Sequence, residues 1–358
     1  MEKETEYEDK SQDTINVARL FELGLLSLFI KEYRTALEAD TEMDRAQAIA
    51  RLRNAMQKQC VDFKKKVSKA SKNDMKVIGD LAYNNLHKKS KKLVKPTKIV
   101  NRWQKKNNAY WRKYIKTKGT NLTIDDKGII QSFKFLLDQD VKGIVDGTLE
   151  IDKAVANTIH KLSNEGISVI DYKTRTKRNV EVFVRQQMVY AAKESTNDLR
   201  KKNAEKDGVT IWEWTAHADA RPTHKEWQGK RFDTTGKYYP KSVSHGQESD
   251  YGCLHRAMPV YDKDDPYAYT QKELDNIDTK PFKWNGKTYN GYDAKQQMRA
   301  MERKIRQCKR EIALLEENGL KDSESAKSTR YLLKKVNSDY SSFCKAYGTY
   351  RRSKRLKI

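Results

Sequence analysis

The residue types best suited to chemistry are crowded into one stretch. Between Ile211 and Tyr261 lie four of the six histidines (His217, His224, His245 and His255), three of the six tryptophans and Cys253. Cysteine sulfur and histidine nitrogen are the donors of tetrahedral zinc, so His217, His224, Cys253 and His255 form a candidate ligand set if the fold joins the two halves. Their spacing matches no common zinc finger. Cys253 and His255 stand two apart and point the same way in an extended chain. His217, Arg221 and His224 share a face if the segment is helical. A second chemistry is metal-free phosphodiester cleavage, with His217 and His224 as acid and base and Arg221 steadying the charge of the transition state. The third reading is structural: Arg221, His224, Gln228 and His255 knit a hydrogen-bonded network that replaces a large core, with Trp212, Trp214, Trp227 and Phe232 as its apolar part. The structural reading is preferred, which leaves no catalytic residue and no required cofactor, with zinc as the alternative.

The surrounding elements must hold these side chains. Ile211-Trp212-Glu213-Trp214 alternates as a strand does and leads into the histidine-rich stretch. Before it, helical periodicity runs over Ile129–Leu137, Ile151–Leu162 and 180–200, with Gly119–Asp126 read as a turn and Gly166–Tyr172 as a connector. Nearer the start, Asp13 or Thr14 can cap a helix carrying Val17, Phe21, Leu25, Leu28 and Phe29, and 44–87 shows the stripe Ala48, Ile49, Leu52, Met56, Cys60 and Phe63. After it, Asn285-Gly286 suits a two-residue hairpin turn. Met298, Met301, Ile305, Cys308, Ile312 and Leu315 then follow heptad spacing to a stop at Asn318-Gly319. A second helix from about Ser325 offers Leu332, Val336, Tyr340, Phe343 and Tyr347, so the economical arrangement is an antiparallel helical hairpin. The tail RRSKRLKI is either a DNA contact or a frayed end.

Lys and Arg number 73 against 49 Asp and Glu, a net charge of +24, and such a surplus favours a polyanionic neighbour. The sharpest concentration is the acid-free stretch 88–118, where Lys91, Lys92, Lys95, Lys98, Arg102, Lys105, Lys106, Arg112 and Lys113 interleave with Trp103, Tyr110, Trp111 and Tyr114. Cations for phosphates and rings for bases suit a nucleic-acid track without sequence preference. The competing reading is an amphipathic helix with its rings in the core; Pro96 breaks the segment in either case. Cys60, Cys253, Cys308 and Cys344 show no CxxC pair, which argues against a disulfide framework and fits a reducing compartment. The acidic, polar start lacks the pattern of an export signal. The most apolar run, Leu20–Ile30, is interrupted by Glu22 and falls short of a membrane span, so a soluble protein is expected.

Over roughly Gly166 to Ile358 the chain resembles the minor capsid protein 2 family of tailed bacteriophages, related to MuF-type head-morphogenesis proteins. The resemblance rests on His217, Arg221, Pro222, His224, Trp227, Gln228 and Gly229, on the Cys253-x-His255 element, on Gly166–Met188 and on the basic helix at Gln296–Glu311. One departure is visible: Asp250-Tyr251-Gly252 leads into Cys253-Leu254-His255-Arg256, where family members usually have a glycine-rich loop into Asn-Cys-Arg-His. The resemblance implies a minor structural protein of the virion, non-enzymatic, at the portal vertex or inside the capsid and assembled in the host bacterial cytoplasm. The implied partners are portal or major capsid protein and packaged double-stranded DNA, with no membrane. A phage-associated nuclease or zinc-binding DNA-processing protein is the alternative. The expected fold class is α+β, predominantly helical: a helical region at 1–118, a helical linker region at 119–208, a loop-rich α+β unit at 209–290 and a helical hairpin at 291–358.

Overall fold

A computed structural model of the chain describes residues 6–84, 86, 93–124, 126–171, 176–247 and 253–358. The fold is α+β and predominantly helical. A short α1 (Glu6–Lys10) leads directly into α2 (Gln12–Leu37), which buries Ile15, Leu25, Leu26, Phe29, Ile30 and Tyr33. Thr14 does not cap α2; its N–H and hydroxyl both donate to Asp74 Oδ2, at 3.0 and 2.7 Å, across to the next helix. That helix, α3 (Glu42–Asn84), runs 43 residues, or about 64 Å at 1.5 Å per residue. Ala48, Leu52, Met56, Cys60, Phe63 and Val67 recur every three or four positions on its buried face, and Phe63 stacks on Phe21 with ring centres 4.3 Å apart. Helix α4 (Thr97–Tyr114) begins immediately after Pro96, where a missing N–H costs nothing.

A small antiparallel sheet separates the next helices. Its strands β1 (Leu122–Ile124), β2 (Lys127–Gly128), β3 (Ser168–Asp171) and β4 (Thr176–Asn179) lie in the order β2-β1-β3-β4. The segments expected as turn and connector are therefore strands in part, because Leu122, Ile124 and Val169 are buried between α4, α5 and α7 and their backbones pair with each other. Tyr172, in the expected connector, lies outside the described residues. Helices α5 (Ile129–Val145) and α6 (Ile151–Glu165) flank this sheet, and α7 (Val180–Lys206) follows β4 with Asn179 capping it.

Beyond α7 the chain forms β5 (Ile211–Trp214), a single-turn α8 (Pro222–Lys225), β6 (Arg231–Asp233) and β7 (Ala257–Val260), with β5 central in an antiparallel sheet of order β6-β5-β7. The alternation of IWEW does not divide core from solvent, since Glu213 is as buried as its neighbours and is neutralised by Arg231 Nε at 2.9 Å. After α9 (Gln271–Asp275), β8 (Phe282–Trp284) and β9 (Lys287–Tyr289) make the expected hairpin, with Asn285 and Gly286 at φ 45° and 77° as a type I′ turn requires. Helices α10 (Gly291–Glu317) and α11 (Glu324–Tyr347) then pack antiparallel, with Tyr340 bonded to Glu302 and Thr329 to Glu311. Met298, Met301, Ile305, Cys308 and Leu315 are buried as their spacing predicts.

Two cores result. The larger runs from Ala18 in α2 to Ala326 in α11 and so crosses the boundaries drawn at 118 and 208. The smaller joins the β8–β9 hairpin to α10 and α11, with Phe343 ringed by Phe282, Trp284 and Tyr289. Among the described residues no helix is long and apolar enough to cross a membrane.

The elements are also tied through buried charge. Glu181 in α7 accepts from Arg185 at 3.0 Å and Arg19 at 3.3 Å and lies 3.6 Å from Arg306. Glu22 takes Arg310 at 3.2 Å, Glu302 takes Arg352 at 2.6 Å, and Glu8 takes Arg355. The tail is thus neither frayed nor wholly open to DNA: its 3₁₀ turn (Ser353–Leu356) buries Leu356 and engages Arg352 and Arg355 on these carboxylates. Gly166, at φ +64°, is required beside them, because a Cβ there would stand 2.5 Å from Glu22 Oε1.

Burial by itself would raise the Glu181 carboxyl, but Arg185, Arg306, Arg19 and Arg355 overcome it and hold the group below its ordinary 4.5. A depressed carboxylate contributes stability above its unfolded value and loses it as pH falls through the folded one. Glu181→Ala leaves these guanidinium groups without their shared counter-ion and should cost about 3–5 kcal/mol near neutrality. Urea unfolding at pH 7 and pH 3 checks it: the gap between wild type and variant narrows in acid, and a gap indifferent to pH contradicts the assignment.

Candidate functional site

Backbone pairing is what brings the two halves of the histidine-rich stretch together. Thr215 N donates to Arg256 O at 2.9 Å, and Arg256 N donates back to Thr215 Oγ1 at 2.9 Å, so the run into β7 lies beside the run out of β5. Trp214 and Trp227 meet edge to face at 5.2 Å, Phe232 stacks on Trp214, and Trp227 Nε1 donates to Gln247 Oε1 at 2.9 Å. These rings hold α8, and with it His224, against Cys253 and His255.

The polar groups converge inside that frame. Cys253 Sγ stands 3.7 Å from His224 Nδ1 and 3.5 Å from His255 Nδ1, and all three side chains are buried. Gln228 Oε1 accepts from the backbone N–H of His217 and faces His255 Nε2, both at 2.9 Å. A backbone N–H can only donate, so the Gln228 atom is its oxygen, His255 carries its proton on Nε2, and its Nδ1 presents a lone pair to the sulfur. Burial first, and then the neighbouring His217, His224 and Lys193, pushes His255 down to about 2, so its ring is neutral.

Three of the four proposed ligands come together and one does not. His224, Cys253 and His255 could hold one metal ion; His217 packs its ring on His255 at 4.3 Å while its Nδ1 lies 3.2 Å from Ala218 O. The shared helical face expected for His217, Arg221 and His224 is absent, because only Pro222–Lys225 is helical and Pro222 starts the turn. His245 is exposed in a turn at φ 49° and stands outside the cluster. Gln228 and Trp227 are buried where the hydrogen-bonded reading put them, Arg221 is half-buried, and Gly229 makes a turn at φ 69°. Residues 250–252, where the sequence departs from the family pattern, lie outside the described residues.

The cluster forms one wall of a cleft of about 470 Å³ whose opposite wall is basic. Arg185 comes from α7, Lys295, Arg299 and Arg303 from one stripe of α10 at steps of four, and Arg221 from the loop before α8. The lining has seven Lys and Arg against three acids, Glu8, Asp219 and Glu302. Glu8 pairs with Arg355, Asp219 lies 3.9 Å from Lys295 and Glu302 takes Arg352, so the acids offset part of this charge and the lining keeps a positive excess that suits an anion.

Asp219 was not legible as a site residue. It sits at φ 56°, accepts from Thr279 N and Oγ1 at 2.9 Å and from Tyr347 OH at 2.7 Å, and lies 3.9 Å from Lys295. Burial opposes its ionisation, and the bonds from Tyr347 and Thr279 outweigh burial and lower it. A Cβ on Gly291 would fall 1.7 Å from Asp219 Oδ1, so glycine at the start of α10 is what lets this carboxylate clasp the C-terminal helices. The one signal in the sequence was Asp in a short loop before Arg-Pro, a residue that tolerates positive φ.

The basic segment divides by face. Lys95, Lys98, Arg102, Lys105, Lys106, Arg112 and Lys113 are exposed, whereas Lys91 and Lys92 lie outside the described residues. Trp103 and Trp111 are buried, Trp103 Nε1 donates to Asp198 at 2.6 Å, and Tyr110 and Tyr114 pack on Phe183. Trp103 and Trp111 are therefore core, as the amphipathic-helix reading has them, Tyr110 and Tyr114 are half-buried against Phe183, and the cations form an exposed ridge.

A family model described as phage minor capsid protein 2 matches residues 4–344. No curated protein and no solved structure matches.

Gln228→Leu keeps the volume and removes the acceptor shared by His217 N–H and His255 Nε2–H. One buried and one part-buried donor lose their partner, so stability falls by about 2–3 kcal/mol. Denaturant unfolding measures it; a drop below about 1 kcal/mol contradicts the hydrogen-bond assignment.

Proposed function

We propose that this chain, which belongs to the phage minor capsid protein 2 family and is thereby a minor capsid component of a bacteriophage, binds packaged DNA through the ridge of α4 and other virion proteins through its helices. The observation that carries the DNA contact is the segregation of α4: Lys98, Lys105 and Arg112 recur every seven residues on its exposed side while Trp103 and Trp111 fill the other. Ammonium and guanidinium groups without accompanying rings read phosphates and not bases, so binding is independent of sequence and governed by counter-ion release. The basic cleft beside α10 extends the same charge to a second surface.

Helix length supports the structural half of the reading. An α3 of 43 residues presents long exposed polar flanks, and the antiparallel α10–α11 hairpin exposes Tyr331 at its outer face. Portal or major capsid protein is the partner class proposed for them, with the chain at the portal vertex or inside the capsid after assembly in the host bacterial cytoplasm. In this reading the chain is non-enzymatic: it holds components together.

Duplex affinity measured against salt tests the DNA contact. Lys98→Gln, Lys105→Gln and Arg112→Gln together should reduce the slope of log K on log salt by about 0.9 for each phosphate no longer neutralised, about 2.7 in all. Two duplexes of unrelated sequence should behave alike. An unchanged slope, or strong preference for one duplex, overturns the reading.

A further inference from the structure

The geometry points to a zinc site built from His224 Nδ1, Cys253 Sγ and His255 Nδ1, with a fourth coordination position open to the basic cleft. Zinc holds sulfur at about 2.3 Å and imidazole nitrogen at about 2.0–2.1 Å, and tetrahedral angles then set sulfur and nitrogen about 3.6 Å apart. The two distances here are 3.7 Å and 3.5 Å. All three donor atoms lie within 4.8 Å of one another, so one ion can reach them together. A divalent ion would serve both nitrogens and the sulfur at once.

The surroundings supply what a ligand set needs beyond distance. Histidine ligands are oriented by a bond from the other ring nitrogen, and Gln228 Oε1 provides it for His255 at 2.9 Å while itself fixed by the His217 N–H. That bond places the lone pair of His255 on the nitrogen nearest the sulfur. Trp227, fully buried, packs on His255 at 4.4 Å and on His224 at 5.1 Å and keeps both rings in place. Sulfur with nitrogen selects zinc over calcium or magnesium, which take oxygen. The three ligands also line the cleft, so an ion can enter from that side. On binding, Cys253 gives up its proton to solvent and ligates as the thiolate. The inference is independent of the DNA reading, since it uses none of the α4 residues.

The test is elemental analysis of the full chain after zinc-supplemented expression and gel filtration, joined to cobalt substitution. About one zinc per chain is expected, lost in Cys253→Ala and in His224→Ala and kept in His217→Ala. Cobalt added to chelator-stripped protein should give a sulfur-to-metal charge-transfer band that Cys253→Ser lacks while its circular dichroism matches wild type. Substoichiometric zinc with no such band overturns the proposal. So does zinc that persists in Cys253→Ala, or loss of zinc in a folded His217→Ala.

Discussion

A carboxylate that is almost wholly shielded from water cannot stand alone, and Glu181 is the one around which this chain is arranged. Its neighbours Arg19, Arg185 and Arg306 come from α2, α7 and α10, and Arg355, from the 3₁₀ turn, adds to the field while pairing with Glu8 of α1. Taking such ions out of water is costly, and only mutual neutralisation recovers the cost. The relative positions of five elements are therefore fixed together, because moving one guanidinium away strands the charges left behind. Helix α7 is correspondingly central: Val180, Phe183, Val184 and Met188 are buried alongside Glu181, Gln187 and Lys193, and its half-buried Arg185 and Gln186 line the cleft.

The same charges shape the cleft. Arg185 and Arg306 belong both to the network and to the lining, so the basic wall opposite His224, Cys253 and His255 is fixed where it is paired and solvated where Arg299 and Arg303 are exposed. Asp219 closes the arrangement from the other side, through Tyr347 and Thr279. A capsid component built this way presents positive potential at two places, the α4 ridge and the cleft, on one scaffold.

Much of this was legible in residues. The heptad of α10, its stop at Asn318-Gly319, the hairpin at Asn285-Gly286, the break at Pro96 and the strand at IWEW all followed from spacing and turn chemistry. The family was legible too, from the motif around His217–Gly229 and Cys253-x-His255, and the family match extends it upstream to residue 4, where no motif had been visible. What escaped was polarity turned inward. Charge in a sequence gives no sign of burial, yet Glu22, Glu181, Glu213 and Arg231 are core, and the tail arginines Arg352 and Arg355 are clasps. Rings among lysines left a track and an amphipathic helix both open, and the burial of Trp103 and Trp111 fits the second. Strands β1 and β3 were too short to show a period, and only their pairing identifies them. In the site, one-dimensional spacing could nominate His217 as a ligand but could not see its ring turned onto His255.

The bond between Glu8 and Arg355 spans 347 positions of chain. A ribosome delivers the first partner long before the second, so α1, α2 and α7 emerge carrying acidic groups whose counter-charges on α10 and the 3₁₀ turn have yet to be made. Contacts this distant are slow to close and are found last. The charge pairs on Glu8, Glu22 and Glu181 that reach α10 and the 3₁₀ turn therefore close only after those late segments have been made.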